Sequence, residues 1–332
     1  MSTTSHVPDR GRITVLALVL PLAVLAFTLG WGLTLLPQLP DPVATHWGAN
    51  GLPNGFGSAT DTLWVLAAIV LPFTIGMWAI GFFRGSTAST RRMAAFFSIW
   101  FAVAISGLLI GSLAMQRGLS DPSAAGGIGV PLGVSFSLAT VLGLASAFAV
   151  PADRHQPTRV PVPDRAGRLP LGTDEHATWV RTVEMPALPW AMGIGVGLAV
   201  LLGALALLAG RTVGWVTVVT LVLATALMVL LGRWTITVDH SGLTARSVLP
   251  RPRTEVPLDE VESAEVIDVQ PFAQFGGWGY RIAASGRVGI VVRRGEGILV
   301  HRTGGRQLVV TVDDAATGAA LLNTLADRAR LR

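Results

Sequence analysis

Six long stretches of this chain, at 13–36, 63–83, 93–115, 130–150, 191–209 and 213–231, carry no Asp, Glu, Arg or His. A helix needs about 20 mostly apolar residues to cross a bilayer. Inside hydrocarbon each backbone polar group must bond within its own segment, and helices do this for isolated runs of that length. The expected fold class is therefore an α-helical polytopic membrane protein with about six transmembrane helices, and the lipid bilayer is the first expected partner. Charged residues make up only 14% of the 332, against about 25% in soluble domains. The first stretch is too long for a signal-peptide core and no small-residue cleavage site follows it, so it is expected to be a retained span.

Arginine sets the expected orientation. Arg10 and Arg12 precede the first stretch, and loop 37–62 has no Arg. Arg84, Arg91 and Arg92 follow the second stretch, Arg117 alone follows the third, and Arg154, Arg159, Arg165, Arg168 and Arg181 follow the fourth. By the positive-inside rule this alternation puts loop 37–62 outside and both termini in the cytoplasm of a multi-pass plasma-membrane protein. Trp31, Trp64, Trp190, Trp215 and Trp234 lie near stretch ends, as an interfacial belt requires. Trp78 and Trp100 lie deeper and are expected between helices.

The chain has no Lys and no Cys. Its pI of about 11.1 follows from an all-Arg set of bases, which titrates above pH 12, so it does not imply a nucleic-acid partner. The same Arg-only, Ala- and Gly-rich composition points to a bacterial source. Without Cys there is no thiolate nucleophile or Cys-ligated metal.

The division expected is a four-span membrane domain at 1–150, a Pro-rich cytoplasmic linker at 151–188, a two-span hairpin at 189–232 and a cytoplasmic β domain at 233–332. In the last, alternating runs at 234–238, 243–248, 264–269, 280–284, 288–293, 298–302 and 308–312 read as about seven strands separated by turn residues. Asp313 or Asp314 is expected to cap a helix to about Arg330, with Ala319, Leu322, Leu325 and Ala326 toward the sheet. This order, with the 239–242 turn and the Val-Pro-Leu-Asp-Glu-Val run at 256–261, resembles bacterial pleckstrin-homology-like (PH-like) domains. The resemblance implies self-association or a cytoplasmic protein partner through 233–332. Arg246, Arg251, Arg253, Arg293, Arg294, Arg302 and Arg306 are candidates for anionic lipid. The acids Glu255, Asp259, Glu260, Glu262, Glu265 and Asp268 make a solvated mixed-charge surface the expected reading.

The most specific segment is 36–58, Leu-Pro-Gln-Leu-Pro-Asp-Pro-Val-Ala-Thr-His-Trp-Gly-Ala-Asn-Gly-Leu-Pro-Asn-Gly-Phe-Gly-Ser. Its candidate binding residues are Pro40, Asp41, His46, Gly51, Pro53, Asn54, Gly55 and Gly57. Prolines fix φ, Gly51, Gly55 and Gly57 permit positive φ, and Pro53-Asn54-Gly55 reads as a turn, so a compact outer loop is expected. Pro40, Asp41, Val43, His46, Gly51, Pro53, Gly55 and Gly57 match the pattern of the membrane domain of unknown function at the N-terminus of sporulation-delaying-protein immunity (SdpI-like) proteins, which this segment resembles. Trp47 stands for the usual Phe and Asn54 for the usual Asp. The resemblance implies a peptide or protein ligand at the external face.

A metal site wants three or four ligands, and this loop has His46 and Asp41. No metal or cofactor is expected, and His46 is expected to bond the loop's own backbone. No nucleophile–base constellation or His-Glu-x-x-His is present, and without Lys there is no Walker lysine, so no enzyme is expected. The functional expectation is a non-enzymatic sensor or immunity-type protein coupling the external loop to the β domain. The alternative is a small-molecule or lipid transporter using Ser106, Ser112, Ser135, Ser137 and Thr140; uncharged spans disfavour ion coupling. Gly107-x-x-x-Gly111 and Gly193-x-x-x-Gly197 are expected to let helices approach closely.

Overall fold

Five helices among the described residues are long and apolar enough to cross a membrane. They are α1 (Arg10–Gln38), α2 (Ala59–Arg84), α3 (Ala88–Ala114), α4 (Gly129–Ala149) and α5 (Leu188–Leu208). The computed structural model describes residues 7–48, 51–172, 175–208, 232–248, 253–283 and 285–331, with Val222, Thr225, Ala226 and Val229. Apart from those four residues, the expected sixth span at 213–231 lies outside the described residues, as does Trp215. Two units result, His6–Asp153 and Arg154–Arg332.

In the first unit α1 to α4 run alternately up and down. Ser58 opens α2 by accepting from the Asp61 N–H at 3.3 Å, and Thr87 opens α3 by accepting from Thr90 at the same distance; such caps satisfy otherwise orphaned donors. Pro21 has no N–H to give the carbonyl of Ala17, four residues back. The chain is locally π-helical over Val15–Val19, and the Ser98 hydroxyl of α3 donates to the Ala17 carbonyl at 2.7 Å. The freed acceptor thus becomes an interhelical tie.

Trp78 donates to Thr14 at 3.1 Å and Trp100 to Thr140 at 3.2 Å, so both lie between helices as expected. A Cβ on Gly107 would sit 2.8 Å from Ser135 Oγ, and one on Gly111 would sit 3.0 Å from Pro131. That glycine pair does allow α3 and α4 to close together. At the end holding the α1 N-terminus, Arg12 donates to the Ala149 carbonyl and Arg92 to the Val150 carbonyl. Cations there match the partial negative charge of the α4 C-terminus. Arg91, 1% exposed, donates to the Gly85 carbonyl at 2.7 Å and pairs with Asp153 at 3.1 Å.

The second unit holds two sheets. A four-stranded antiparallel sheet has the order β3 (Trp179–Glu184), β4 (Arg233–Asp239), β5 (Gly242–Ser247), β6 (Arg253–Pro257). A five-stranded sheet has the order β7 (Val261–Val269), β10 (Gly295–Arg302), β11 (Arg306–Thr311), β9 (Val288–Val291), β8 (Gly279–Ile282), with β9 parallel to β11. A short helix α6 (Pro271–Phe275) follows β7, and α7 (Ala315–Arg330) closes the unit with Ala319, Leu322, Leu325 and Ala326 buried, as the spacing predicts.

Three expectations change here. Part of the supposed linker is strand β3, paired residue by residue with β4 from Trp179↔Val238 to Glu184↔Arg233. Another part of it, a strap over 156–172, is tied down: the Val162 N–H donates to Asp327, the Leu169 N–H to Thr324, and Arg328 to the carbonyls of Leu171 and Gly172, and also to that of Glu175. Trp234 is not interfacial but wholly buried, because strand alternation puts it on the core face with Ile236 and Val238. Asp314 holds the N-cap place of α7 at φ 58 without bonding a backbone N–H. Its carboxylate instead accepts from Thr317, Trp179 and Arg181.

The chain leaves the four-stranded sheet after β3 and returns at β4. The Met185 N–H donates to the Gly232 carbonyl at 2.8 Å, one step beyond the Glu184↔Arg233 pair. On α5 the close approach is made by Gly195, where a Cβ would collide with Thr225. Among the described residues nothing lies within 4 Å of a Cβ on Gly193 or Gly197.

Candidate functional site

The segment between α1 and α2 folds into a two-stranded hairpin, β1 (Val43–Trp47) against β2 (Pro53–Gly57). Its inner side is anchored by one residue from elsewhere in the chain. Gln116, fully buried just past the end of α3, accepts from the Ala44 N–H at 2.6 Å and donates to the Ala44 carbonyl at 3.0 Å. The carboxamide thus stands in for one peptide group of a third strand. It also donates to the Ser112 carbonyl at 3.0 Å. Val43 packs in a cluster with Leu35, Leu63 and Leu113, which seats β1 on the ends of α1, α2 and α3. The Trp47 indole donates to the Gly126 carbonyl at 3.0 Å, tying the hairpin to the loop before α4.

The eight candidate residues occupy distinct places in this frame. Pro40 and exposed Asp41 lie in the lead-in to β1, and the Asp41–Pro42 peptide is cis. Gly51, at φ 78, belongs to the reversal, where the Gly48 N–H donates to Leu52 and the Gly51 N–H to Gly48. The reversal is therefore closed by Gly48, Gly51 and Leu52, and Pro53, Asn54 and Gly55 are strand residues rather than the expected turn. Of the three glycines only Gly51 needs positive φ. Gly55 is required for space, since a Cβ there would come 2.9 Å from the His46 Cβ across the ladder. Gly57 would meet Thr45 at an ordinary 3.6 Å.

Among the described residues His46 bonds a side chain rather than the backbone. Its Nδ1 lies 2.5 Å from Asn54 Oδ1. A carboxamide oxygen only accepts, so Nδ1 carries the proton. Asp41 has no hydrogen bond to this pair. Leu52 and Phe56, 59% and 45% exposed, lie on the same alternating side of β2 as Asn54. The result is a rigid face with a His–Asn pair between two apolar side chains, suited to contact rather than to proton transfer. Leu52, Phe56 and the anchor Gln116 were not among the sequence candidates. Strand alternation would have found the first two. No sequence signal marks Gln116, whose partner is 72 residues away.

Among the transport candidates, Ser106, Ser112 and Ser135 are buried, while Ser137 and Thr140 are exposed. Thr140 donates to the Phe136 carbonyl of its own helix. The five hydroxyls do not share one face. Among the described residues no three His, Asp or Glu side chains stand close enough to hold a metal ion.

The second unit has a groove of about 720 Å³ between the strap, β7 and α7, floored by Ala316, Ala319 and Ala320 and ended by Asn323. Nearby, Glu260 is buried among Arg302 at 2.6 Å, Arg306 at 3.2 Å and the Gln156 N–H at 2.9 Å. Burial pushes its carboxyl up, but the Arg302 hydrogen bond, the Gln156 N–H and both guanidinium charges outweigh that and hold it below the ordinary range. The Thr317 and Trp179 hydrogen bonds, with Arg181, likewise lower Asp314.

Residues 23–71 match a family described as a domain of unknown function (DUF1648), and the match takes in all eight candidate residues. No curated protein and no solved structure matches the chain.

Proposed function

We propose that this chain is a non-enzymatic sensor or immunity-type protein of a bacterial plasma membrane, with both termini cytoplasmic. In this reading the β1–β2 hairpin meets a peptide or protein ligand outside the cell. The two-sheet unit is a PH-like domain that holds a cytoplasmic partner or a second copy of itself. The alternation of Arg-rich and Arg-poor loops supports the orientation. The antiparallel β3-to-β6 sheet, the β7, β10 and β11 strands and the closing α7 support the domain type. The SdpI-like pattern of the hairpin residues supports the ligand class.

The observation that carries the reading is the splice between β3 and β4. Membrane segment 185–232 is inserted between two neighbouring strands whose ends, Glu184 and Arg233, pair directly. Separating or sliding the two ends of that segment breaks ladder bonds, so a rearrangement in the bilayer is delivered to the sheet. The scattered hydroxyls of the first unit give the transporter alternative less support.

The test is deletion of the gene, challenge with peptide toxins and envelope stress, and complementation. Wild type should restore resistance, and the double variant His46→Ala/Pro53→Ala should not. Gly195→Leu, which wedges α5 from Thr225, should also fail while the protein still accumulates in the membrane. Full rescue by both variants, or a deletion strain as resistant as its parent, sinks the reading.

A further inference from the structure

Phe272 and Trp278, 63% and 42% exposed, meet edge to face with ring centroids 4.8 Å apart. Phe272 lies on α6 and Trp278 in the loop that follows it, shaped by Gly276, Gly277 and Gly279 at φ 69, 139 and 101. The loop is pinned from below: Phe275 is 6% exposed, and a Cβ on Gly289 would come 2.5 Å from its ring. The two aromatics are therefore held at the surface by a packed base.

Their position in the unit is informative. Tyr280, two residues after Trp278, stacks on Trp234 with centroids 6.2 Å apart. Trp234 is the second residue of β4, just after the Met185–Gly232 bond that closes the root of the membrane segment. The aromatic loop thus adjoins the end of the unit from which the chain departs for the bilayer.

Basic residues gather beside the aromatics: residues 270–295 contain Arg281, Arg293 and Arg294, with Arg287 at the other end of the β8–β9 hairpin, and no Asp or Glu, while Asp268 and Glu296 face each other just outside that run. Arg293 is engaged by Asp313 at 2.5 Å, whereas exposed Arg281 uses Nε on the Trp278 carbonyl at 2.6 Å. Arg246 lies directly opposite Arg253 in the β5–β6 ladder, a like-charge pairing that is unfavourable without a nearby anion. Arg253 contacts Glu255, and Arg246 makes no ion pair among the described residues. Glu184 lies 3.9 Å from Arg233. Val248, 55% exposed, follows β5 at the same end. Arg302 and Arg306 are spent on buried Glu260.

We infer that this end of the C-terminal unit rests on an anionic bilayer, with Phe272 and Trp278 in the headgroup–acyl interface and Arg246 and Arg281 on lipid phosphates. The Trp278 indole, with its polar N–H edge, favours that interface, the apolar Phe272 ring adds buried area beside it, and basic side chains favour an anionic surface. This surface is independent of the hairpin's ligand.

The chain has no Cys, so single cysteines in the full-length protein can carry a nitroxide label without background. Phe272→Cys and Val248→Cys report on the surface; the Val248 label leaves both aromatics intact. Ser241→Cys, in the turn at the far end of the β4–β5 ladder, is the control. In nanodiscs of phosphatidylcholine with phosphatidylglycerol, labels at 272 and 248 should be severalfold more accessible to oxygen than to a water-soluble nickel chelate. The label at 241 should show the reverse. The preference at 272 and 248 should fall in pure phosphatidylcholine and in the Arg246→Gln/Arg281→Gln background. Nickel accessibility at both sites in anionic discs overturns the proposal, as does insensitivity to lipid charge and to the arginine pair. Protection from both reagents that grows with protein density would mean a protein contact and overturns it equally.

Discussion

Replacing Trp179 by Ala tests where the C-terminal domain begins. Trp179 sits in a stretch that reads as linker, yet it is 5% exposed and belongs to the same core as Trp234, Ile298 and Leu322. Its ring lies 2.9 Å from where a Cβ on Gly318 would be, so it fills the space that this glycine leaves on α7. Its indole N–H donates to Asp314 at 3.1 Å. Truncating a buried Trp costs about 3–5 kcal/mol from lost burial and the cavity left behind. Loss of a hydrogen bond to a charged group can add about 1.5–3 kcal/mol, though here Thr317 and Arg181 still hold the carboxylate, so the lower figure governs. At about 1.4 kcal/mol per tenfold, opening of the unit should become at least two orders of magnitude more frequent. Hydrogen exchange of full-length protein in nanodiscs reads this directly, in the amides of α7 and β4. Unchanged protection of α7 would show that β3 is not part of the domain's cooperative fold. A stronger version exchanges residues 185–232 for Asn-Gly, which suits a two-residue hairpin joining Glu184 to Arg233. That chain, from Arg154 onward, should be folded and water-soluble, whereas a fragment beginning at Arg233 should not fold.

Gln116→Ala removes both bonds to Ala44 and leaves a buried N–H and C=O unpaired, at about 1–3 kcal/mol each; limited proteolysis within 43–57 should accelerate at least tenfold, and an unchanged rate would mean the hairpin is held by Val43 and Trp47 alone. Gly55→Ala should loosen the hairpin while Gly57→Ala leaves it intact, read by exchange of the β1 amides; equal effects would contradict the close approach at His46. Glu260 and Asp314 titrate lower in the folded unit than their ordinary 4.5 and 3.8, so their stabilisation is complete above those values and is lost as pH falls through the lower folded ones. The midpoint for denaturing the C-terminal unit should therefore be flat from neutral pH to about 5 and drop below about 4. Glu260→Gln should lower it at neutral pH, since Arg302 and Arg306 lose the carboxylate charge they share, and should flatten the acid limb; an unaltered acid limb would refute the assignment.

What the sequence could reveal depended on how far apart the interacting residues lie. Spans and their caps are local: an uncharged run names the helix, and Ser58 or Thr87 marks its start within three residues. Strands β4, β5 and β7 to β11 are nearly as local, because Gly242, Gly286, Gly295 and Gly304 mark turns between alternating runs, whereas β6 (Arg253–Pro257) is not among those runs. β3 escapes for the opposite reason. Its run Trp-Val-Arg-Thr-Val does not alternate, being buried at Trp179 and Val183 with three exposed residues between, and its partner strand begins 49 residues further on, beyond a membrane segment. Proximity to an apolar run also misdirects Trp234, whose alternation with Ile236 and Val238 was the better guide. The candidate hairpin divides the same way. Its existence was legible from Pro and Gly spacing, while the role of each glycine was not, because Gly55 answers to His46 across the ladder and not to its own φ. Gln116 is the limiting case: an uncharged side chain at a helix end acquires its function only when the fold brings Ala44 to it. Residues whose partners are distant in sequence hold the hairpin to the helices and the membrane segment to the sheet. The connections on which the proposed signalling depends are thus the ones a single sequence conceals.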